Sequence, residues 1–476
     1  MENKLRPYMK YSNSDAEYIG EFPSHWTTTK LRYIFEERKE KNNGRKTDNI
    51  LSVMKNRGVI PYSEKGNVGN KHSEDIERYN LVYENDIVMN CMNVIIGSVG
   101  RSKYFGALSP VYYVFKNRDF ERNNVEYYEF VFSMTSLQRE LTKYGKGILA
   151  HRMRISIEML KNLELPKPPV DEQDQIVRYL KYKLAKINRF ISLKKRLISS
   201  IKEKKQALIN EAVTGRLNSY SKKKTIGLEW LYEIPEHWNM CKLKQVAKVQ
   251  TGLTLGKKYD SRNLVEMPYI RVANVQDGHL LLDKVTTVSV PVGEIASKLL
   301  QPGDVLMTEG GDRDKLGRGC IWNGEITPCL HQNHIFAVRT NKEKLLPEFL
   351  TAILTSQIGR IYFDLTAKKT TNLASTNSTT LKAFAFGIPN IQEQYAIIEA
   401  LNEKTSTLNR LIEKFEGEIE LVEEYRKRLI SDVVTGKVDV CGIEIDEIPE
   451  DVLGVDAYEE EIEDYDEVVD SEECEV

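Results

Sequence analysis

Cysteine is scarce in this 476-residue chain: six residues, at positions 91, 241, 320, 329, 441 and 474, with no Cys-x-x-Cys pair among them. That excludes a disulfide-stapled scaffold and fits thiols kept reduced in a cytoplasmic protein. No stretch approaches eighteen consecutive apolar residues, so no membrane-spanning helix is expected, and Met1-Glu2-Asn3-Lys4 opens no secretory leader. Catalytic signatures are missing too. The glycine-rich run Gly310–Gly319 lacks the Gly-Lys-Ser/Thr ending of a phosphate-binding loop, and no Asn-Pro-Pro-Tyr methyltransferase motif occurs. Glu-x-Lys triplets of the nuclease kind at Glu37–Lys39 and Glu203–Lys205 fall in charged helical stretches. Cys320, Cys329, His331 and His334 could be drawn as a zinc set, but their spacing matches no finger or ribbon, and a place in strands and loops is the better reading. The expectation is no catalytic residue, no metal and no cofactor.

Charge of one sign is missing from one end. Residues 444–476 hold seventeen Asp or Glu and no Lys or Arg; without them the chain has 68 basic residues against 53 acidic, a net of +15. A body of that charge favours a polyanion, and the acidic extension, placed at 439–476, is expected to lack a core of its own.

What the chain does have is an internal repeat. Ala212-Val213-Thr214-Gly215-Arg216-Leu217 returns as Val433-Val434-Thr435-Gly436-Lys437-Val438, and Pro168 with Glu172-Gln173 returns as Pro389 with Glu393-Gln394. Upstream, Pro23-Ser24-His25-Trp26 returns as Pro235-Glu236-His237-Trp238. Between Glu-Gln and Thr-Gly, apolar residues alternate in steps of four and three. The seam includes Leu180, Ile187, Ile191 and Ile198 in the first copy and Leu408, Ile412, Ile419 and Val422 in the second, with Lys194 and Lys205 filling two rungs. Such spacing over more than five turns predicts two long helices, 171–215 and 392–436, pairing as an antiparallel coiled coil of roughly 60–65 Å. Asp171 reads as the first cap and Gly215 and Gly436 as the stops.

These marks divide the chain into a polar lead-in (1–18), a first globular unit (19–167), a central helix (168–217), a linker (218–229) with Lys222-Lys223-Lys224, a second globular unit (230–389), a second helix (390–438) and the acidic extension. The fold class is α+β: two similar α/β domains and two long helices with pseudo-twofold repetition. Strand-like runs are Ile50–Val53, Asp86–Met89 and Val111–Phe115 in the first unit, and Tyr269–Val272, Asp304–Met307 and Ile335–Val338 in the second.

Six loops mix glycine with basic and amide residues: Lys55–Gly58, Gly97–Lys103, Lys143–Arg154, Arg271–Asn274, Arg313–Arg318 and Lys368–Asn372. Arg and Lys can bond guanine edges, Asn and Gln adenine edges, and amides beside glycine can approach phosphate. The candidate DNA contacts are Lys55, Asn56, Arg57, Arg101, Lys103, Lys146 and Arg152 in the first half, and Arg271, Asn274, Arg313, Lys315, Arg318, Lys368 and Lys369 in the second.

Pro-x-His-Trp opening each half, Pro-x-x-x-Glu-Gln leading into each helix and Val-Thr-Gly closing it resemble the specificity subunit of type I restriction–modification systems over residues 19–440. Gly303-Asp304-Val305-Leu306 and His331-Gln332-Asn333-His334 share the likeness. The resemblance implies two target-recognition domains reading a split double-stranded DNA site, helices that set their separation, and docking of two methyltransferase and two restriction (motor-nuclease) subunits. It implies no active site in this chain. The competing reading is a coiled-coil scaffold that binds proteins and no DNA; a self-sufficient restriction enzyme would need cofactor motifs that are missing here.

Overall fold

The computed structural model describes residues 6–54, 57–66, 72–90, 97–144, 154–216, 222–254, 263–311, 316–317, 319–369 and 374–445. The chain forms two compact units, one of residues 1–196 with 415–476 and one of residues 197–414.

Each unit is built on a four-stranded antiparallel sheet of the same topology. In the first, β1 (Phe35–Glu37), β2 (Ile87–Asn90), β3 (Val99–Arg101) and β4 (Tyr112–Asn117) lie in the order β1-β4-β2-β3. In the second, β5 (Ala247–Thr251), β6 (Asp304–Thr308), β7 (Gly319–Trp322) and β8 (Ile335–Thr340) lie in the order β5-β8-β6-β7. The central strands β2 and β6 are short apolar runs buried on both faces, Ile-Val-Met and Val-Leu-Met. Around β2 pack Leu51, Val53, Val59, Leu108 and Val114; onto Val305 and Met307 of β6 and Phe336 and Val338 of β8 pack Phe349, Leu350 and Ile353.

One buried acid begins each central strand. Asp86 receives a bidentate Arg38 (Nε 2.7 Å, Nη2 2.9 Å), and Asp304 a bidentate Arg339 (Nε 2.8 Å, Nη2 2.7 Å). Each also accepts the backbone N–H three residues earlier, from Tyr83 and Gln301. The arginines come from different places: Arg38 follows β1, whereas Arg339 lies on β8. The same buried charge is thus neutralised by non-equivalent residues, which fits a repeated fold under a diverged sequence.

The long helices are α1 (Val170–Val213) and α2 (Ile391–Val434), 44 residues each. Both start one residue earlier than the sequence predicts. Pro169 O receives the first free amides of α1, those of Glu172 and Gln173, so Asp171 is not the cap. It sits in the first turn, where its charge complements the helix dipole. Asn390 Oδ1 caps α2 by accepting from Glu393 N at 3.0 Å. Leu180, Ile187, Ile191, Ile198 and Ile419 are buried, whereas Leu408, Ile412 and Val422 are half-buried. In the first unit Lys194 does not break the seam: its Nζ meets Glu418 at 2.7 Å and lies 4.0 Å over the Phe415 ring.

Three expected irregular stretches carry structure. The linker holds a strand, Lys223–Leu228, paired antiparallel with Leu231–Pro235; its exposure alternates residue by residue, a period of two hidden by its lysines. In the lead-in, Tyr11–Asn13 pairs with Glu21–Pro23. The extension is fixed at its start, where Asp439 N donates to Arg6 O at 2.8 Å and Val440 is fully buried. In the second unit the strand expected at Tyr269–Val272 ends at Ile270 and gives way to a 3-10 turn, Val272–Asn274.

Candidate nucleic-acid interface

All three repeated motifs meet in each unit. In the first, Glu172 accepts Trp26 Nε1 at 2.9 Å, His25 Nε2 at 2.6 Å and the Tyr8 hydroxyl at 2.9 Å. In the second, Glu393 accepts Trp238 Nε1 at 3.0 Å and His237 Nε2 at 3.0 Å. Burial works against the Glu172 carboxylate, yet the bonds from Trp26, His25 and Tyr8 hold it below the usual glutamate range. Beside it, buried Gln173 accepts from Asn124 N (2.8 Å) and donates to Pro168 O (2.8 Å). Gln394 accepts from Leu346 N (2.9 Å) and donates to Lys344 O (2.8 Å).

The helix ends close the arrangement. Gly215, at φ +67°, lies so near Pro235 that a Cβ would sit 2.2 Å from its Cγ; Gly436, at φ +74°, would meet Pro23 Cδ at 2.3 Å. So α1 starts on the His25-Trp26 motif and ends on Pro235, while α2 starts on His237-Trp238 and ends on Pro23. The motifs are joints that fix where each helix meets a domain.

Glycine also brings candidate loops together. A Cβ on Gly100 would lie 2.6 Å from Gly58 Cα, placing the 55–58 and 97–103 loops against one another in the first unit. In the second, Gly278 N donates to Gly319 O at 3.1 Å, joining the turn after Arg271–Asn274 to the glycine-rich run. That run pairs further: Gly310–Gly311 with Ala374–Ser375, which pair in turn with Lys368–Lys369. Beside them His334 Nδ1 contacts Glu309 Oε2 at 2.7 Å, and Thr376 N donates to Glu309 O at 2.8 Å.

The candidate residues fare differently. Lys55, Asn56, Lys146, Arg152, Arg313, Lys315 and Arg318 lie outside the described residues. Lys103 and Lys368 are exposed. Lys369 reaches Asp364 at 3.2 Å, and Arg57 reaches Glu64 at 3.7 Å; both cations keep an open face. Arg101 is spent inside its unit, on Glu126 (2.8 Å), Glu129 (3.4 Å) and Asn85 (2.8 Å). Buried Asn274 donates to Leu281 O (2.7 Å) and Lys284 O (3.2 Å) and accepts from Arg271 N (2.9 Å), so its amide shapes the turn. Arg271 is half-buried, its Nε without a partner.

The drawn zinc residues have other engagements. Burial pushes the Cys320 and Cys329 thiols up to about 12, and both belong to an apolar core. His331 is fully buried; its Nδ1 donates to Ile335 O at 3.1 Å, and burial pushes its pKa down to about 4. Among the described residues no helix is long and apolar enough to cross a membrane.

A family model described as the type I restriction modification DNA specificity domain matches residues 23–203 and again 235–421. The chain is 22% identical over 450 residues to a type I restriction enzyme specificity subunit of Methanocaldococcus jannaschii, spanning 92% of this chain and 98% of that one. A second sequence of that organism, assigned provisionally to the same kind of subunit, is 28% identical over 225 residues; the match spans 46% of this chain and about half (51%) of the relative. Among solved structures, one from work on assembly and conformational transition of the type I restriction–modification system superposes with a TM-score of 0.61 at 14% identity, covering 87% of this chain and 98% of that one. At that identity the likeness is one of fold.

Proposed function

Given that the chain belongs to the type I restriction–modification DNA specificity family, we propose that it is the non-catalytic subunit that reads a two-part site on double-stranded DNA for such a complex. Each sheet-based unit reads one part. The observation that carries this reading is the paired glycine contact, Gly58 with Gly100 and Gly278 with Gly319. It gathers basic, amide-bearing loops at equivalent places in both halves, where backbone can approach a phosphate and Lys or Arg a base edge.

In this proposal the first domain covers 19–167, the second 230–389, and the helices act as spacers that pair as an antiparallel coiled coil with pseudo-twofold symmetry. The Lys194–Glu418 and Lys194–Phe415 contacts support the pairing. Lys103 and Arg57 contact DNA in the first half, and Lys368 and Lys369 in the second. So do Lys55, Asn56, Lys146, Arg152, Arg313, Lys315 and Arg318 on the strength of their sequence position. Arg271 approaches DNA only through its half-buried guanidinium, and Arg101 and Asn274 serve the fold. Two methyltransferase subunits dock on the spacer helices, and two restriction subunits complete an assembly working in the cytoplasm.

The test is an electrophoretic mobility shift of duplex DNA by the chain with its methyltransferase partner. Retarded, salt-sensitive binding supports the proposal; unchanged mobility overturns it in favour of a protein-binding scaffold. Spacing is tested by inserting seven residues after both Ser199 and Glu420, which keeps the seam in phase. About 10 Å of added helix should widen the preferred gap by at most about three base pairs. An assembled complex that keeps the original gap would show that the helices do not set it.

A further inference from the structure

In the first unit a concavity of about 600 Å³ opens beside edge strand β1, on the sheet edge opposite β3 and the glycine-paired loops. Its lining includes six cations (Arg32, Arg38, Lys39, Lys116, Arg118 and Lys161) against Glu36, Glu37 and Glu40. The carboxylates are shared. Glu36 serves both Lys116 (3.6 Å) and Arg118 (3.4 Å), and Glu37 serves both Lys39 (3.8 Å) and Lys161 (3.0 Å). Arg32 Nε is buried without a hydrogen-bond partner. Outside the lining, Asp86 takes Arg38 at 2.7 Å and Glu158 also meets Lys161 at 3.2 Å, so six cations share five carboxylates and the concavity keeps a small excess of positive charge.

The same unit anchors the most acidic stretch of the chain. Gln175 Nε2 donates to Val440 O (3.1 Å) and Ile443 O (2.8 Å), so the backbone is held there immediately before residues 444–476 with their seventeen carboxylates. The anchor lies within reach of the cavity. Arg118 lies four residues before Arg122, whose carbonyl receives Gln173 Nε2 at 3.3 Å, and Gln175 is two residues further along α1. Chain steps of about 3.8 Å and these bonds bound the separation at roughly 40 Å. Thirty-one residues can span at most roughly 100–110 Å when fully extended, so the segment is long enough to reach.

We propose that the acidic segment 446–476 docks in cis on the Arg32–Lys116–Arg118 concavity. Tethering supplies it at about millimolar effective concentration, so weak charge pairing suffices to hold it there. The docking itself stands apart from the DNA-reading proposal. Only its consequence, partial cancellation of the basic body's pull on non-specific DNA, rests on that reading.

Lysine acylation of the full chain, followed by mass spectrometry, tests the docking. Lys39 and Lys116 are 78% and 42% exposed, so both report on cover. Truncation after Ile445 should raise their labelling about threefold or more at low salt, as for a site largely filled by a tethered ligand. The exposed Lys248 on β5 should not change. About 0.5 M salt, where the screening length falls below about 5 Å, should erase the difference. In the full chain, Lys116→Glu with Arg118→Glu should release Lys39 as truncation does. Equal labelling with and without the segment overturns the proposal. So does a uniform rise that includes Lys248, or protection of Lys39 that appears only when duplex DNA is added.

Discussion

The indole nitrogen of Trp26 donates to Glu172 at 2.9 Å, and 212 positions later Trp238 donates to Glu393 at 3.0 Å. These bonds hold the first turn of each long helix to the turn that follows Pro23 or Pro235. Glu172 has a third donor, Tyr8, bonded at 2.9 Å. Glu172→Ala should therefore loosen the first unit by about 1–3 kcal/mol, leaving the buried Trp26 indole N–H unmet. Glu393→Ala should loosen the second by somewhat less. Hydrogen exchange of the full chain, read by mass spectrometry, should localise each loss; equal loss in both units from either single change would refute separate joints.

The helix stops make a sharper test. Gly215→Ala and Gly436→Ala put a Cβ within 2.2–2.3 Å of a proline ring at positive φ. Each should destabilise its own unit by more than about 1 kcal/mol, the usual cost of a side chain where only glycine fits. Gly417→Ala is the control: nothing lies within 4 Å of its Cβ position, and it sits inside α2. A melting point lowered equally by all three would mean that the contacts at the stops do not matter.

Buried His331 sets a pH dependence. Its pKa is about 4 in the folded chain, because burial disfavours the imidazolium, against about 6.5 unfolded. The unfolded chain therefore binds the proton first. Stability should be intact above about pH 6.5, fall as pH drops toward 4 and level off below, losing roughly 3 kcal/mol from this group alone. Denaturation midpoints across that window should show the slope, and His331→Gln should flatten it. An unchanged slope would place the effect elsewhere.

Arg101 and Lys368 should separate by salt. Arg101→Ala should lower first-unit stability by breaking its bonds to Glu126, Glu129 and Asn85, with the salt slope of DNA binding unchanged. Lys368→Ala should leave stability unchanged and reduce the slope by about one unit if Lys368 meets a phosphate. Reversed outcomes would exchange their roles.

What was legible in the sequence was periodic or repeated. The steps of three and four placed both helices to within one or two residues at each end, and the short apolar runs at Asp304–Met307 and Ile335–Val338 marked the central strands. The Pro-x-His-Trp and Glu-Gln repeats were visible as markers, but a repeat does not reveal that its parts touch; that needed the bonds from Trp26 to Glu172 and the Gly436–Pro23 approach. Arg101 looked like a DNA contact because its carboxylate partners lie 25 and 28 residues on, beyond the reach of a local reading. Asn274 looked like a base reader because a turn-forming amide and a recognition amide have the same local sequence.

Mapping methylated bases across the genome of a host carrying this chain with its methyltransferase partner tests the central claim most directly. The account predicts one motif made of two short specified elements separated by an unspecified gap of fixed length. It further predicts that a change to a base-contacting residue in one domain relaxes only the element which that domain reads. A single continuous motif, or no sequence-dependent methylation at all, would contradict it.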